Sequence, residues 1–361
     1  MRVLHIITRL NVGGTASWLD LLSSSLLKEG HQVRILSGVT SSNEILAPLS
    51  SITDVRYIQT LKKDSSILED LCSFWKIRLE IKRFNPSVIN THTSKAGFLA
   101  RLANFSLLRK RSRIVHTIHG HLLYGYFPKW KIWVIIHVER FLGVLTDLIL
   151  VPGKRVTVEA ESAGLLNKEK VINVVPGVPI PNIQVQSEVS QRVRVGWLGR
   201  LTQIKRPDRV IELAKMFPDV DFFVGGNGEL MNFIRKDSPT NLHLEGWVAA
   251  NEFWGRMDIA LLTSDNEAMP ISLIEAGMMA LPAVTTNVGS TAEVVIDGRS
   301  GFVVETDIQS IAEGLRRLIE SPELRTQYGE FAREFTTSTF SPKNQLDSHL
   351  DAYEIAIELK P

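Results

Sequence analysis

Two glutamates and two cations carry the chemistry open to this chain. Glu267 and Glu275 lie in N-E-A-M-P-I-S-L-I-E-A-G-M-M-A, 266–280, directly after the apolar run D-I-A-L-L-T at 258–263. Pro270 suits the first turn of a helix, which puts Glu267 in the preceding loop and Glu275 about a turn and a half inside. Both carboxylates then share a crevice with a helix N-terminus. Backbone N–H groups of Ala268, Met269, Ile271 and Ser272, on either side of Pro270, are placed to take phosphate or sugar oxygens, while carboxylates accept from sugar hydroxyls.

Arg200 and Lys205 lie in G-W-L-G-R-L-T-Q-I-K-R-P, 196–207, between a strand pattern and a helix pattern. From the carboxyl end of a parallel sheet this pair can clamp a diphosphate and neutralise charge on a leaving phosphate. The same residues also read as two solvated loop cations. Gly13 and Gly14 follow the first strand pattern and open a helix, which makes them either a plain turn or a close-approach phosphate loop. The full G-x-G-x-x-G fingerprint is missing, which argues against a nicotinamide dehydrogenase.

These groups need elements to aim them. In residues 1–180, short apolar runs at 2–8, 31–37, 86–91, 113–119 and 147–152 alternate with helix patterns at 19–27, 95–107 and 128–145. After V-V-P-G-V-P-I-P-N-I-Q-V-Q-S-E-V-S at 174–190 the rhythm restarts, with strands at 193–199, 221–226, 241–246, 258–263 and 282–286 and helices at 207–216 and 269–280. Continuous apolar strands alternating with helices predict parallel sheets covered on both faces. At 361 residues, 44% hydrophobic and 22% charged, the chain has material for about two domains. No apolar run approaches the roughly 18 residues of a spanning helix. The opening V-L-H-I-I is too short for a signal-peptide core, so the mature chain is expected to start here. Cys72 is the single cysteine, which forbids an internal disulfide or a cysteine metal cluster and suits a cytoplasmic setting.

The net charge of +2 hides a contrast. Residues 1–180 hold 24 basic and 13 acidic side chains, net +11, and the remainder 17 and 26, net −9. The first half is therefore expected to meet an anion: a lipid headgroup, a pyrophosphate-linked substrate or nucleic acid.

Glu267 and Glu275 reproduce the E-x7-E motif of retaining GT-B glycosyltransferases of the family-four type. The motif is preceded by G-R-L-x-x-x-K and followed by T-T-N-V-G-S-T-A-E-V-V-I-D-G-R-S-G-F-V-V, 285–304. Nearly the whole chain resembles that family. The resemblance implies an α/β GT-B fold of two Rossmann-like domains facing each other across a cleft. Residues 1–178 would form an acceptor-side domain and 179–340 a nucleotide-sugar domain, with a C-terminal helix in 341–361 packing back on the first. It further implies metal-independent transfer with retention and no cofactor beyond the donor, a UDP-sugar with glucose as the preferred hexose. By the same likeness Glu275 holds the ribose, Glu267 a donor-sugar hydroxyl, Arg200 and Lys205 the diphosphate, and Gly14 lends a backbone contact. In R-I-V-H-T-I-H-G-H, 113–121, His119 matches the family's catalytic-site histidine and His116 falls on the strand. G-G-N-G-E at 225–229, with Gly226, resembles the nucleotide loop, and Trp247 and Val248 border the base.

This chain departs from the family at 176–180, where P-G-V-P-I replaces an Asn-Gly-Val-Asp segment, and at Ala268, where glycine is common. Asp219-Val220-Asp221 spells a D-x-D, but it precedes a strand at its amino end and reads as structural. Between Arg101 and Arg140, cations interleave with aromatics, which suits either an anionic membrane surface at the inner face of the cell membrane or an ordinary solvated helix. No nucleic-acid motif accompanies the basic run. Lys95 and Arg101 are candidates for an acceptor phosphate. The reading is a hexosyltransferase acting on a glycan or lipid-linked acceptor in polysaccharide biosynthesis. An epimerase or hydrolase on the same fold, or a donor-binding subunit without chemistry, is the alternative.

Overall fold

The computed structural model describes residues 1–11, 13–40, 46–47, 49, 54–107, 112–119, 129–162, 164, 168–182 and 192–359. Two compact units emerge, one of Met1–Gly120, Phe127–Gly177 and Pro342–Pro361, the other built on Val178–Ser341.

The first unit runs β1 (Arg2–Ile7), α1 (Gly14–Lys28), β2 (Gln32–Gly38), β3 (Asp54–Ile58), α2 (Ile67–Phe84), β4 (Val88–Thr91), α3 (Ser94–Phe105), β5 (Arg113–Thr117), α4 (Lys129–Val144), β6 (Leu148–Val151), α5 (Lys154–Ser162) and β7 (Val171–Asn173). Its strands pair in parallel in the order β3-β2-β1-β4-β5-β6-β7. The period-2 alternation of each strand decides what it buries. Val3, Val88, Val115 and Leu148 face Trp18 and Leu22 of α1. Leu4, Ile6, Ile89 and Ile114 face Ile77 and Ile81 of α2 and Ala96, Leu99 and Ala100 of α3.

The second unit runs β8 (Arg194–Leu198), α6 (Asp208–Met216), β9 (Asp221–Gly225), α7 (Met231–Asp237), β10 (Leu242–Gly246), α8 (Ala250–Trp254), β11 (Ile259–Leu262), α9 (Ile271–Met278), β12 (Ala283–Thr286), β13 (Gly301–Val304), α10 (Ile308–Glu320) and α11 (Pro322–Thr339). Its parallel sheet is ordered β10-β9-β8-β11-β12-β13. The last helix, α12 (Pro342–Glu358), belongs to the first unit and buries Leu346, Ala352, Tyr353 and Ala356 beside Trp18. Tyr353 accepts a hydrogen bond of 2.7 Å from the Asn90 side chain at the bottom of this packing. Burying each large apolar side chain is worth roughly 1.5–3 kcal/mol, so α12 is held firmly.

Each sheet begins in its middle and reverses direction once, between β1 and β4 and between β8 and β11. The carboxyl ends of strands flanking such a reversal leave a crevice between diverging loops, and ligands of open α/β sheets bind there. The helix expected at 269–280 is shorter, Ile271–Met278, with Pro270 just before it. β3 and α2 escaped the sequence reading: β3 is a mostly exposed edge strand, and only four residues of the eighteen in α2 are buried. Among the described residues no helix is long and apolar enough to cross a membrane.

Candidate functional site

The loops after β8 and β11 meet at the reversal of the second sheet. A short turn, Gln203–Lys205, ends at Arg206, a non-glycine residue held at φ 51°. Such a conformation costs on the order of 1–3 kcal/mol and persists only where surrounding bonds enforce it. Here the Thr263 hydroxyl donates to the carbonyls of Lys205 and Arg206, at 3.1 and 2.9 Å, while accepting from the Trp197 indole at 3.0 Å. The N–H of Asp265 donates to the Ile204 carbonyl, and the Asp265 carboxylate pairs with both Arg206 and Arg209.

The clamped turn aims Lys205 at Glu267. Nζ lies 2.5 and 2.6 Å from the two carboxylate oxygens, and the Ser264 hydroxyl donates to one of them at 2.6 Å. Glu267 is buried while Lys205 keeps a partly exposed face. Lys205 is therefore not a free cation; it reaches an anion only by sharing its three N–H donors between carboxylate and ligand. Arg200 is exposed, and no described side chain pairs with it. From the other side, Gly289 (φ 49°) presses on the Glu267 carbonyl so closely that a Cβ would stand 1.7 Å from it, and the N–H of Ser290 donates to the Ala268 carbonyl.

Glu275 lies inside α9. Burial pushes its carboxyl up from the ordinary 4.5 to about 7, a rise that the nearby Trp254 indole N–H partly opposes. Leu273 and Ile274 make the first backbone bonds of α9, both to the Pro270 carbonyl. That leaves Ile271 and Ser272 as helix-terminal donors behind Met269. Gly226, at φ 121°, lets the loops after β8 and β9 touch: a Cβ there would be 1.9 Å from the Gly199 carbonyl. At the end of β10, Trp247 is exposed and Val248 partly buried beside Gly225. Among the sequence candidates, the second unit thus brings Lys205 and Glu267 into contact and places Ala268 beside them through Ser290.

Gly13, Gly14 and His119 belong to the first unit. Gly13 caps the start of α1 with a positive φ and Gly14 is the first helical residue, earlier than the pattern at 19–27. His119 follows β5 and packs edge-on against Trp18 of α1, ring centroids 4.9 Å apart. Its Nε2 is 2.8 Å from Nδ1 of His92, a residue the sequence reading did not single out. Only its place at the carboxyl end of a strand, in N-T-H-T-S, could have flagged it. His116 is buried, hydrogen-bonded to Thr91 at 2.7 Å, with Gly97 leaving room for its ring.

One expectation is overturned. Arg101 is no acceptor-phosphate ligand: it is 2% exposed and bound to Glu139 at 2.7 Å, because α3 turns that face inward. Lys95 is also engaged, with Asp70 at 3.1 Å and with the Ser65 hydroxyl. Asp219 and Asp221 flank the amino end of β9 and pair with Arg192. The basic run at 108–111 and the aromatics at 124–127 lie outside the described residues.

Solved structures share this architecture. Anabaena Alr3699/HepE, crystallised with UDP and glucose, superposes with a TM-score of 0.80 at 17% identity, covering 98% of this chain and 99% of that one. Staphylococcus aureus TarM superposes at 0.77, with 13% identity over 98% and 98% of the two chains. Two doubly wound units of this order make the chain a GT-B protein, and the sequence relatives make it an enzyme of sugar transfer. The Escherichia coli protein named O-antigen biosynthesis glycosyltransferase WbnH is 29% identical over 328 residues, 88% of this chain and 90% of that protein. Another E. coli protein, named UDP-Gal:alpha-D-GlcNAc-diphosphoundecaprenol alpha-1,3-galactosyltransferase, is 24% identical over 82% of each chain. The family model Glycosyltransferase Family 4 matches residues 12–180 and Glycosyl transferases group 1 matches 181–335. The chain belongs to the retaining GT-B glycosyltransferases of group 1, family 4.

Proposed function

We propose that the enzyme transfers a hexose, with glucose as the preferred sugar, from a UDP-sugar to a glycan or lipid-linked acceptor in polysaccharide biosynthesis. The observation that carries this reading is the Lys205–Glu267 pair at the switch point of the second sheet. A carboxylate held by a lysine accepts from a sugar hydroxyl, and the same ammonium keeps a proton to share with a departing phosphate. Arg200 supplies the second cation, with a planar fork of donors. Ala268, Met269, Pro270, Ile271 and Ser272 bring the helix end to the phosphates, and Glu275 holds the ribose. Gly226, Trp247 and Val248 line the base side, His119 bonds the donor sugar, and Gly13 and Gly14 add a backbone contact. The diphosphate leaves from the face on which the acceptor hydroxyl arrives, and no protein nucleophile is assigned. The names of the E. coli relatives, one for O-antigen biosynthesis and one for a diphosphoundecaprenol acceptor, support a lipid-linked acceptor.

A lipid-linked acceptor places the enzyme at a bilayer. On α4, Trp130, Trp133, Phe141 and Val144 are exposed at helical spacing, and α2 exposes Ile67, Leu71 and Trp75. Apolar stripes on a unit rich in cations suit peripheral docking on an anionic cytoplasmic face. A panel of UDP-glucose, UDP-galactose, GDP- and ADP-glucose, each with and without extracted lipid acceptor, tests the reading. Release of UDP with a lipid-borne hexose is expected, fastest with UDP-glucose; isomerised sugar nucleotide, acceptor-independent hydrolysis or no turnover overturns it. Flotation with anionic but not neutral vesicles tests the docking surface, and failure to float at low salt removes it.

A further inference from the structure

Three histidines in the first unit, His5, His92 and His119, form a line of which the proposed chemistry uses only His119. The pairings of β1 with β4 and of β4 with β5 align His5 with Asn90 and Asn90 with Val115. His92 and His119 therefore stand two and four residues further toward the carboxyl edge, on the same face of the sheet. Parallel strands thus lay the rings on a diagonal that climbs from the core to the crevice end. Nδ1 of His5 is 2.9 Å from Nε2 of His92, and Nδ1 of His92 is 2.8 Å from Nε2 of His119. Adjacent ring centroids are 5.1 and 5.0 Å apart. Among the described residues no group of three or more histidine, cysteine or carboxylate side chains is arranged to hold a metal ion; both ring nitrogens of His92 are instead engaged by its two histidine neighbours.

The direction of the chain follows from proton counting. Burial holds His5 and His119 down at about 3, and burial first, then the neighbouring histidines, holds His92 well below its ordinary value. All three are neutral at physiological pH, each with one N–H and one lone pair. Two hydrogen bonds among three neutral rings allow only two polarities. In one, the leftover proton sits on Nε2 of His5, which is fully buried and has no hydrogen-bond partner among the described residues. In the other, that atom is a bare lone pair and the leftover proton sits on Nδ1 of His119, at the partly exposed end of the line. A buried N–H without an acceptor is the costlier orphan, so the second polarity prevails.

We infer that His5 and His92 are positioning residues that hold His119 with its proton on Nδ1, so that it meets the substrate as a hydrogen-bond donor and not as a base. This rests on the reading of His119 as the donor-sugar histidine. The relay itself is tested first, without reference to activity, by long-range proton–nitrogen spectra of the full chain carrying nitrogen-15 histidine, with His119 assigned by its loss in His119→Asn. The wild type is expected to show Nδ1 protonated and Nε2 as acceptor. His92→Asn, whose amide NH2 replaces the lost donor, keeps that signature; His92→Leu mixes the tautomers. Turnover of the UDP-hexose that the wild type uses fastest follows the spectra. His92→Leu lowers kcat about 10-fold with little change in KM, the effect of one mis-set hydrogen bond, while His92→Asn stays within about threefold. Wild-type His119 protonated on Nε2, or an unchanged tautomer in His92→Leu, overturns the relay. A relay seen in the spectra beside full activity in His119→Ala leaves the relay standing and overturns the reading of His119.

Discussion

Nζ of Lys205 bridges both carboxylate oxygens of Glu267 at 2.5 and 2.6 Å, across a separation of 62 residues in the chain. Neither residue reaches the other by local geometry. The contact exists because β8 and β11 are neighbours at the reversal of the second sheet, and because the turn ending at Arg206 is bonded to Thr263 and Asp265 of the facing loop.

Lys205→Ala and Glu267→Gln are each expected to lower kcat about 100-fold or more, the usual cost of losing one group aimed at developing charge. Residues acting as a unit are not additive, so the double variant falls little further than either single one. Steady-state kinetics with melting curves check this. Wild-type rates in well-folded single variants contradict the assignment.

Glu275→Gln separates binding from stability. A hydrogen bond to a charged group is worth about 1.5–3 kcal/mol, so UDP affinity by calorimetry is expected to drop about 10- to 100-fold. Because the folded-state pKa is raised from 4.5 to about 7, the folded chain holds a proton between those values that the unfolded chain has released. Stability from this group therefore falls as pH rises through that window. The wild type loses ground to Glu275→Gln between pH 5 and pH 8; parallel stability curves contradict the raised pKa.

Gly289→Ala places a methyl against the Glu267 carbonyl at a positive φ. The strain costs on the order of 1–3 kcal/mol, read as a lower urea midpoint, and displaces Glu267, read as lost turnover. Gly298→Ala, also at positive φ but with open space around its Cβ, isolates the backbone part and keeps its activity. Equal activity loss in both variants contradicts a specific contact at Glu267.

Acid is expected to unfold the first unit. Burial lowers His5 and His119 to about 3 and His349 to about 4, with His92 and His116 also well below 6.5. Below pH 6.5 the unfolded chain binds protons that these rings refuse, so their contribution is complete above 6.5 and lost as pH falls toward 3 to 4. Each refused proton costs about 1.4 kcal/mol per pH unit. Urea midpoints of a first-unit probe such as Trp18 fluorescence should fall between pH 7.5 and 5.5; a flat profile contradicts the buried neutral cluster.

Much of the fold is legible because strand burial is a local pattern. V-L-H-I-I and D-I-A-L-L-T read as strands closed on both faces, and both are. β3 was not legible, since an exposed edge strand carries little apolar signal, and α2 buries too narrow a stripe to show a clear period. Arg101 looked like a surface cation because sequence cannot distinguish a paired, buried guanidinium from a solvated one. His92 and His5 carry no motif of their own, because the diagonal they form with His119 exists only once β1, β4 and β5 lie side by side.

Residue types and short spacings alone determined the alternation of strand and helix, the restart after the proline-rich junction, and the order of motifs placing Glu267 before a helix and Glu275 within it. Those follow from interactions a few residues long, which a linear string records in full. Tertiary structure decided that Lys205 meets Glu267, that Arg101 is hidden, and that three histidines from three strands share protons. Such contacts depend on which strands lie side by side and in what register, and no local period encodes that.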